Sequence, residues 1–317
     1  MEQSHHMSKQ LVEFQEYLKT CRKIVALVGA GLSVSSGLPT FRGSQGLWKN
    51  FNMIDLATPD AFYIDPGLVW QFYSWRRYNA LQAKPNKGHL ALSALSNLAT
   101  RKDSNLEYIT ITQNVDGLSS RSGHAKENLY EIHGSLFNLN CTSFMCNYVD
   151  RNNLKHPLTK ALEGTEYEYD RKNRKRSLEE DDSSHQVDYS ISPQFRPVKN
   201  IPESELPQCP VCKDGSLLRP GVVWFGESLP LNVMNSVDNF IESNNSVDLI
   251  LVIGTSGTVY PANSYVDRVK VKGGKVAIFN TDIEEDILQG IVKDTWGFRG
   301  DAAELLPIAL KPVIGEV

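Results

Sequence analysis

Lys23-Ile24-Val25-Ala26-Leu27-Val28-Gly29-Ala30-Gly31-Leu32-Ser33 is a short apolar run that breaks into a glycine turn. It continues as Ser35-Ser36-Gly37-Leu38-Pro39-Thr40-Phe41-Arg42. A strand ending in glycine and small polar residues lets a backbone approach a pyrophosphate and offer it amide N–H groups. The turn departs from the dinucleotide fingerprint Gly-x-Gly-x-x-Gly, because Val34 holds the sixth position and no acidic residue ends a second strand.

Two further clusters lie at the ends of apolar runs. Leu106 to Ile111 leads into Thr112-Gln113-Asn114-Val115-Asp116-Gly117-Leu118, and Asn128 to Ile132 leads into His133-Gly134. Amides, a carboxylate and a histidine gathered there suit a nucleoside and proton transfer. Ligands of open α/β sheets bind beyond the carboxyl ends of the strands, which is where these clusters fall. More runs at 247–253 and 275–280, alternating with helical patterns near 66–82, 86–99, 233–244 and 301–310, predict a mostly parallel, doubly wound α/β sheet. Leu11, Phe14 and Leu18 recur at helical spacing and predict an amphipathic helix over about 8–20. The expected domains are a discontinuous Rossmann-like unit, 8–137 with 220–312, and a smaller inserted module, 138–219.

With 317 residues, 41% hydrophobic, the chain can bury one large core plus that module. A net charge of −4 argues against a general nucleic-acid binder, and no apolar run is long enough to span a bilayer. Met1 to Gln10 shows neither a signal-peptide apolar core nor transit-peptide arginines, so cytoplasm, nucleus or both is the expected location. Of five cysteines, Cys141 and Cys146 are spaced Cys-x4-Cys, Cys209 and Cys212 are spaced Cys-x2-Cys, and Cys21 stands apart. Two close pairs in an intracellular chain read as one Zn²⁺ site, and four thiolates leave no open position, so the metal is expected to be structural. Cys21 reads as a small buried hydrophobe. Between the pairs, 163–192 is poor in aliphatic residues and carries Arg171 to Arg176 followed by Glu179 to Asp182. That composition predicts a mobile loop, with the acidic run offsetting a basic stretch that could otherwise serve nuclear import or nucleic-acid contact.

Taken together, Gly29-Ala30-Gly31-Leu32-Ser33, Gly37-Leu38-Pro39-Thr40-Phe41-Arg42, Thr112-Gln113-Asn114-Val115-Asp116 and His133-Gly134 resemble the motifs of the sirtuins, in family order. The resemblance runs from about Lys23 to about Leu310. It implies an NAD-dependent protein-lysine deacylase with acylated-lysine proteins as substrates. It further implies that Asn114 and Asp116 hold the nicotinamide end of NAD, Gln113 orients the ribose, and His133 is the general base. Phe41 shields the reacting carbon and Arg42 contacts phosphate or ribose. Gly254, Thr255 and Ser256, with Asn280, Thr281 and Ala302, hold the phosphate and adenosine end, alongside Gly29, Ala30, Gly31 and Ser33. Val222, Val223, Trp224 and Phe225 match the family's substrate-binding stretch, whose backbone pairs with an extended peptide. Products are lysine, nicotinamide and acylated ADP-ribose. The Cys-x4-Cys pair departs from the usual Cys-x2-Cys.

Tyr73 and Arg76, three residues apart on an expected helix, share a face, so a phenol and a guanidinium can meet one carboxylate. This Tyr-x-x-Arg resembles the class III sirtuins, which remove succinyl, malonyl and glutaryl groups, and Ala57 and Thr40 agree with that branch. The competing readings are an ordinary deacetylase, a mono-ADP-ribosyltransferase, an NAD sensor with little turnover, and a nucleic-acid module built on the cysteine knuckles. The last would show steep salt dependence.

Overall fold

The computed structural model describes residues 2–40, 46–167, 196–212, 214–255 and 262–317. Phe41, Arg42, Ser256 and most of the expected loop, including Arg171 to Arg176, lie outside the described residues. The chain divides into two compact units, one of Met1–Thr40, Ala83–Ser135 and Ser228–Val317, the other of Phe41–Gln82 and Leu136–Glu227.

The first unit is built on six parallel strands: β1 (Lys23–Val28), β2 (Glu107–Thr112), β3 (Leu129–Glu131), β4 (Leu249–Ile253), β5 (Lys275–Asn280) and β6 (Thr295–Arg299). They lie in the order β6-β5-β4-β1-β2-β3, the reversal at β1 making the switch point of a doubly wound sheet. Because both faces are covered, alternate residues of one strand enter different cores. Ile24, Ala26 and Val28 pack with Phe14, Leu92, Phe279, Trp296 and Leu306, whereas Val25 and Leu27 pack with Val237, Ile241, Tyr265 and Val269. That two-sided burial is why β1 and β4 read as unbroken apolar runs.

Helix α1 (Glu2–Leu18) begins earlier than expected. It drives Phe14 edge-on against Trp296 and Phe298, ring centroids 5.6 and 5.4 Å away. Helices α2 (Gly31–Val34), α3 (Lys87–Ala99), α4 (Leu231–Glu242), α5 (Ala262–Val271) and α6 (Ala302–Ile314) follow. Strand β6 and helix α5 were not expected from sequence: β6 interrupts its apolar residues with Gly297, and α5 draws its aliphatic residues mostly from β-branched valines, which favour strands.

The second unit is larger than the 138–219 module expected, because the Pro66–Gln82 helix bonds into it rather than into the first unit. Trp70 Nε1 donates to the Leu218 carbonyl at 2.9 Å, Gln71 Nε2 to the Lys199 carbonyl at 2.9 Å, and Arg77 Nη1 to the Leu136 carbonyl. A small sheet of Val149–Asp150, Gly134–Cys141 and Leu218–Val222 carries Cys141 at a strand end. Residues 163–167, the described start of the expected loop, are ordered: Thr165 and Glu166 are buried, and the Thr165 hydroxyl donates to the Leu162 carbonyl at 2.7 Å. Polar side chains close that turn on their own backbone, so it orders without aliphatic residues.

Candidate active site and zinc centre

The glycine turn after β1 and the loop after β4 meet backbone to backbone. Gly31 N–H donates to the Gly254 carbonyl at 2.8 Å. A Cβ on Gly29 would come within 2.7 Å of the Gly254 carbonyl, and one on Gly31 within 2.6 Å of the Gly254 Cα. Gly254 itself has φ +56° and would meet Leu32 N at 2.5 Å. The glycines are therefore required first by this loop-to-loop approach at the sheet's switch point. Across it, Asn280 Nδ2 donates to the Thr255 carbonyl at 3.1 Å, and the Asn280 amide oxygen accepts the Thr281 N–H at 2.9 Å. Ala302 is buried in the core, so its backbone alone can face a ligand.

The polar cluster after β2 closes onto the same turn. Ser33 Oγ donates to Asp116 Oδ2 at 2.7 Å, and Leu118 N–H donates to Asp116 Oδ1 at 2.8 Å. Asn114 Nδ2 donates to the Gly29 carbonyl at 3.0 Å and to Ser33 Oγ at 3.2 Å. Asn114, Asp116 and Ser33 are all buried. Buried side chains bonded to one another hold a polar surface rigid without ordering at the moment of binding.

His133 follows β3, and its Nδ1 bonds to the Gln113 carbonyl at 3.0 Å. A carbonyl only accepts, so Nδ1 carries the proton and Nε2 keeps its lone pair. Burial holds the His133 pKa below 6.5, against a small upward pull from that carbonyl, and the ring is neutral at pH 7. Glu131, opposite Thr112 in the parallel register, is pushed up to about 7 by burial and by the Asp116 charge.

Sequence reading assigned no role to Glu131, Asn86 or His89. Asn86 caps α3 reciprocally with His89, and its Nδ2 donates to the Leu32 carbonyl at 2.7 Å and to Ser36 Oγ at 3.0 Å. Helix α3 is thereby tied to the glycine turn. His89 is buried, burial lowers its pKa to about 4, and its Nε2 has no hydrogen-bond partner among the described residues. The Asn-x-x-His spacing before an apolar periodic run was the available signal.

In the second unit, Tyr73 is buried and its hydroxyl accepts the Trp224 Nε1–H at 2.9 Å. The half-buried Arg76 guanidinium lies 5.6 Å from the Tyr73 ring centroid and 5.7 Å from that of Phe72. Burial raises the Tyr73 pKa against the opposing pull of Arg76, so the phenol keeps its proton and remains a donor. Trp224 is fixed further: the Arg219 guanidinium sits 3.5 Å from its ring centroid, and Glu227 accepts the Trp224 backbone N–H at 2.8 Å while pairing with Arg219 at 2.6 and 2.7 Å. The Ala57 carbonyl accepts Phe225 N–H at 2.9 Å, and Ala57 is buried. Tyr73, Arg76, Ala57 and Trp224 thus belong to one packed wall. Val222 packs inward, whereas Phe225 is 48% exposed.

Cys141, Cys146, Cys209 and Cys212 converge, with all four Sγ atoms within 4.8 Å of one another. Cys141–Cys212 and Cys146–Cys209 sulfurs lie 3.5 and 3.9 Å apart. A tetrahedron of sulfurs about 2.3 Å from Zn²⁺ has edges of about 3.8 Å, so the donor set fits. Cys21 is separate, its Sγ donating to the Tyr17 carbonyl at 3.4 Å, and burial raises its pKa to about 12, the behaviour of an inert thiol.

No helix among the described residues is long and apolar enough to cross a membrane. Residues 29–261 match the Sir2 family. An NAD-dependent protein deacylase of Candida albicans is 76% identical over 98% of this chain and 100% of its own length. Sirtuin-5 of the dog, described as mitochondrial, is 37% identical over 96% of this chain and 86% of its own. A crystal structure of a Sir2 homologue with NAD superposes with a TM-score of 0.68 at 34% identity, covering 94% of this chain and 92% of that one. The chain belongs to the Sir2 family.

Proposed function

We propose that this protein uses NAD to remove acyl groups from protein lysines, and that it favours acyl groups ending in a carboxylate: succinyl, malonyl and glutaryl. The observation that carries the acyl preference is the buried Tyr73 phenol beside the Arg76 guanidinium, a protonated hydroxyl and a cation on one wall. An acyl chain ending in a carboxylate offers such a guanidinium an opposite charge and two acceptor oxygens, which a neutral acetyl group does not.

Bound NAD would supply the nicotinamide glycosidic bond whose cleavage passes ADP-ribose to the acyl oxygen. The chain's part is to bind, orient and move a proton. Asn114 and Asp116, locked by Ser33, Gly29 and Leu118, hold the nicotinamide end, and Gln113 orients the ribose. The Gly29–Ala30–Gly31 turn with Gly254, Thr255 and Ser256 takes the phosphates, and Asn280, Thr281 and the Ala302 backbone take the adenosine side. Phe41 and Arg42 cover the cofactor. His133 accepts a ribose hydroxyl proton at Nε2, the nitrogen left free by the bond to Gln113. The substrate peptide pairs with the backbone around Val222, Val223, Trp224 and Phe225. Zn²⁺ on the four cysteines is structural, since sulfur fills every position.

The test is to give the pure protein NAD with matched acetyl-, malonyl-, succinyl- and glutaryl-lysine peptides, following nicotinamide and peptide product by mass spectrometry. Preference for the acidic acyl groups, lost in Arg76→Met, is the expected result. Equal succinyl activity in both proteins would sink the pocket assignment. Acetyl preference would leave a deacetylase, nicotinamide release without loss of the acyl group a mono-ADP-ribosyltransferase, and binding without turnover a sensor. Cytoplasm or nucleus is our reading of the location. Co-fractionation with mitochondria, where the dog relative's name places it, would overturn it.

A further inference from the structure

We propose that Arg77 is a positioning and selectivity residue, a buried guanidinium that fixes the helix turn carrying Tyr73 and Arg76 and biases their wall toward acyl chains ending in a carboxylate. The inference rests on the acidic-acyl reading above and adds a residue that touches no substrate.

Adjacent residues on a helix point about 100° apart, so Arg76 and Arg77 diverge. Arg76 stays half-buried beside Tyr73, while Arg77 is completely buried. Its fork donates to the Leu136 carbonyl, to the Asn153 carbonyl at 2.7 Å and to the Lys155 carbonyl at 3.0 Å. Two separate backbone segments are thereby clamped to the turn of the Pro66–Gln82 helix that carries Arg76. Lysine, with a single ammonium, cannot reproduce the fork.

All of these acceptors are neutral, and no carboxylate lies within ion-pair distance of Arg77 among the described residues. Asp150 acts on it only from farther away, its Oδ2 already accepting Asn153 Nδ2 at 2.7 Å. The positive charge is therefore unneutralised, and it is felt nearby, where it lowers the pKa of His156 behind the effects of burial and Glu166. Burying a charge among neutral acceptors is a costly way to pack a helix, since an apolar side chain of that size would serve packing better. What it adds is a fixed field one residue from Arg76.

The test compares kcat/KM for succinyl- and acetyl-lysine versions of one peptide in the parent, Arg77→Gln and Arg77→Lys. Arg77→Gln is expected to lower the succinyl-to-acetyl ratio about tenfold through KM. That is the scale for two unit charges roughly 10 Å apart at an effective dielectric of about 20. Arg77→Lys keeps the charge and should keep most of the ratio while both substrates lose rate. A folded Arg77→Gln with the parent's ratio would overturn the inference. Should that variant fail to fold, Asp150→Asn serves instead: removing the distant acid must raise the ratio, and an unchanged or lower ratio overturns the proposal. A parent that does not prefer succinyl refutes the acidic-acyl reading itself, an outcome separate from an unchanged ratio in the variants.

Discussion

Replacing Glu131 with glutamine is expected to stabilise the protein, and to do so far more at pH 8 than at pH 5. The carboxyl titrates at about 7 in the folded protein against 4.5 when free, because burial and the Asp116 charge oppose its ionisation. A folded pKa above the unfolded one means that the native state binds the proton more tightly. Its contribution is fully present below pH 4.5 and is lost as pH rises through about 7. Carried through the linkage relation, the ionised side chain costs the fold on the order of 3 kcal/mol at pH 8 and about 1 kcal/mol at pH 5. Glutamine has the same shape and no charge to desolvate, so Glu131→Gln should recover about 2 kcal/mol more at pH 8 than at pH 5. Urea denaturation of parent and variant at the two pH values, followed by far-UV circular dichroism, measures the difference. An equal gain at both would show that Glu131 ionises normally, and the reasoning from its burial would fail.

His133→Ala should fold with the parent's melting temperature yet lose on the order of 10²-fold or more in deacylation, the usual weight of a general base; parent-like turnover at saturating NAD would remove it from that role. In the parent, kcat/KM should fall on the acid side with a midpoint below 6.5, because burial depresses the His133 pKa; a midpoint above that value would contradict it. Gly254→Ala should destabilise by about 2 kcal/mol or more, since its Cβ would lie 2.5 Å from Leu32 N at φ +56°; a thermal melt within a degree of the parent would refute the close approach. Metal analysis should find one zinc per chain, lost with the cooperative melt in Cys209→Ser, and a folded, zinc-free parent would overturn the four-thiolate centre.

Much of the fold was legible because a parallel sheet covered on both faces needs continuous apolar strands, and β1, β4 and β5 supply them. Strand β6 and helix α5 were hidden for the converse reason. Gly297 sits among the residues of β6, where Ile283, Ile287 and Leu288 crowd the position a Cβ would take, so its composition is set by packing against the short Glu285–Leu288 helix rather than by strand pattern. The unit boundary was equally hidden: helical periodicity in 66–82 is indifferent to which core receives the helix, and the deciding bonds run to Leu218, Lys199 and Leu136, remote in sequence.

The site shows the same division between chemistry and context. Motif residues are legible because their chemistry is unusual for their position: an amide, a carboxylate and a histidine at strand ends have few purely structural uses. Glu131 and Arg77 have ordinary chemistry in ordinary elements, and only the fold shows that Arg77 is fully buried and Glu131 partly so, with no counter-ion bonded to either among the described residues. Selection for stability alone would replace both, since an uncharged side chain of similar size removes the desolvation cost. Their presence beside residues of the two proposed functional surfaces, Glu131 close to His133 and Arg77 next to Arg76, therefore argues that the electrostatic potential at those surfaces is what they are kept for. If Glu131→Gln and Arg77→Gln proved more stable than the parent and equally active and selective, that argument would lose its premise.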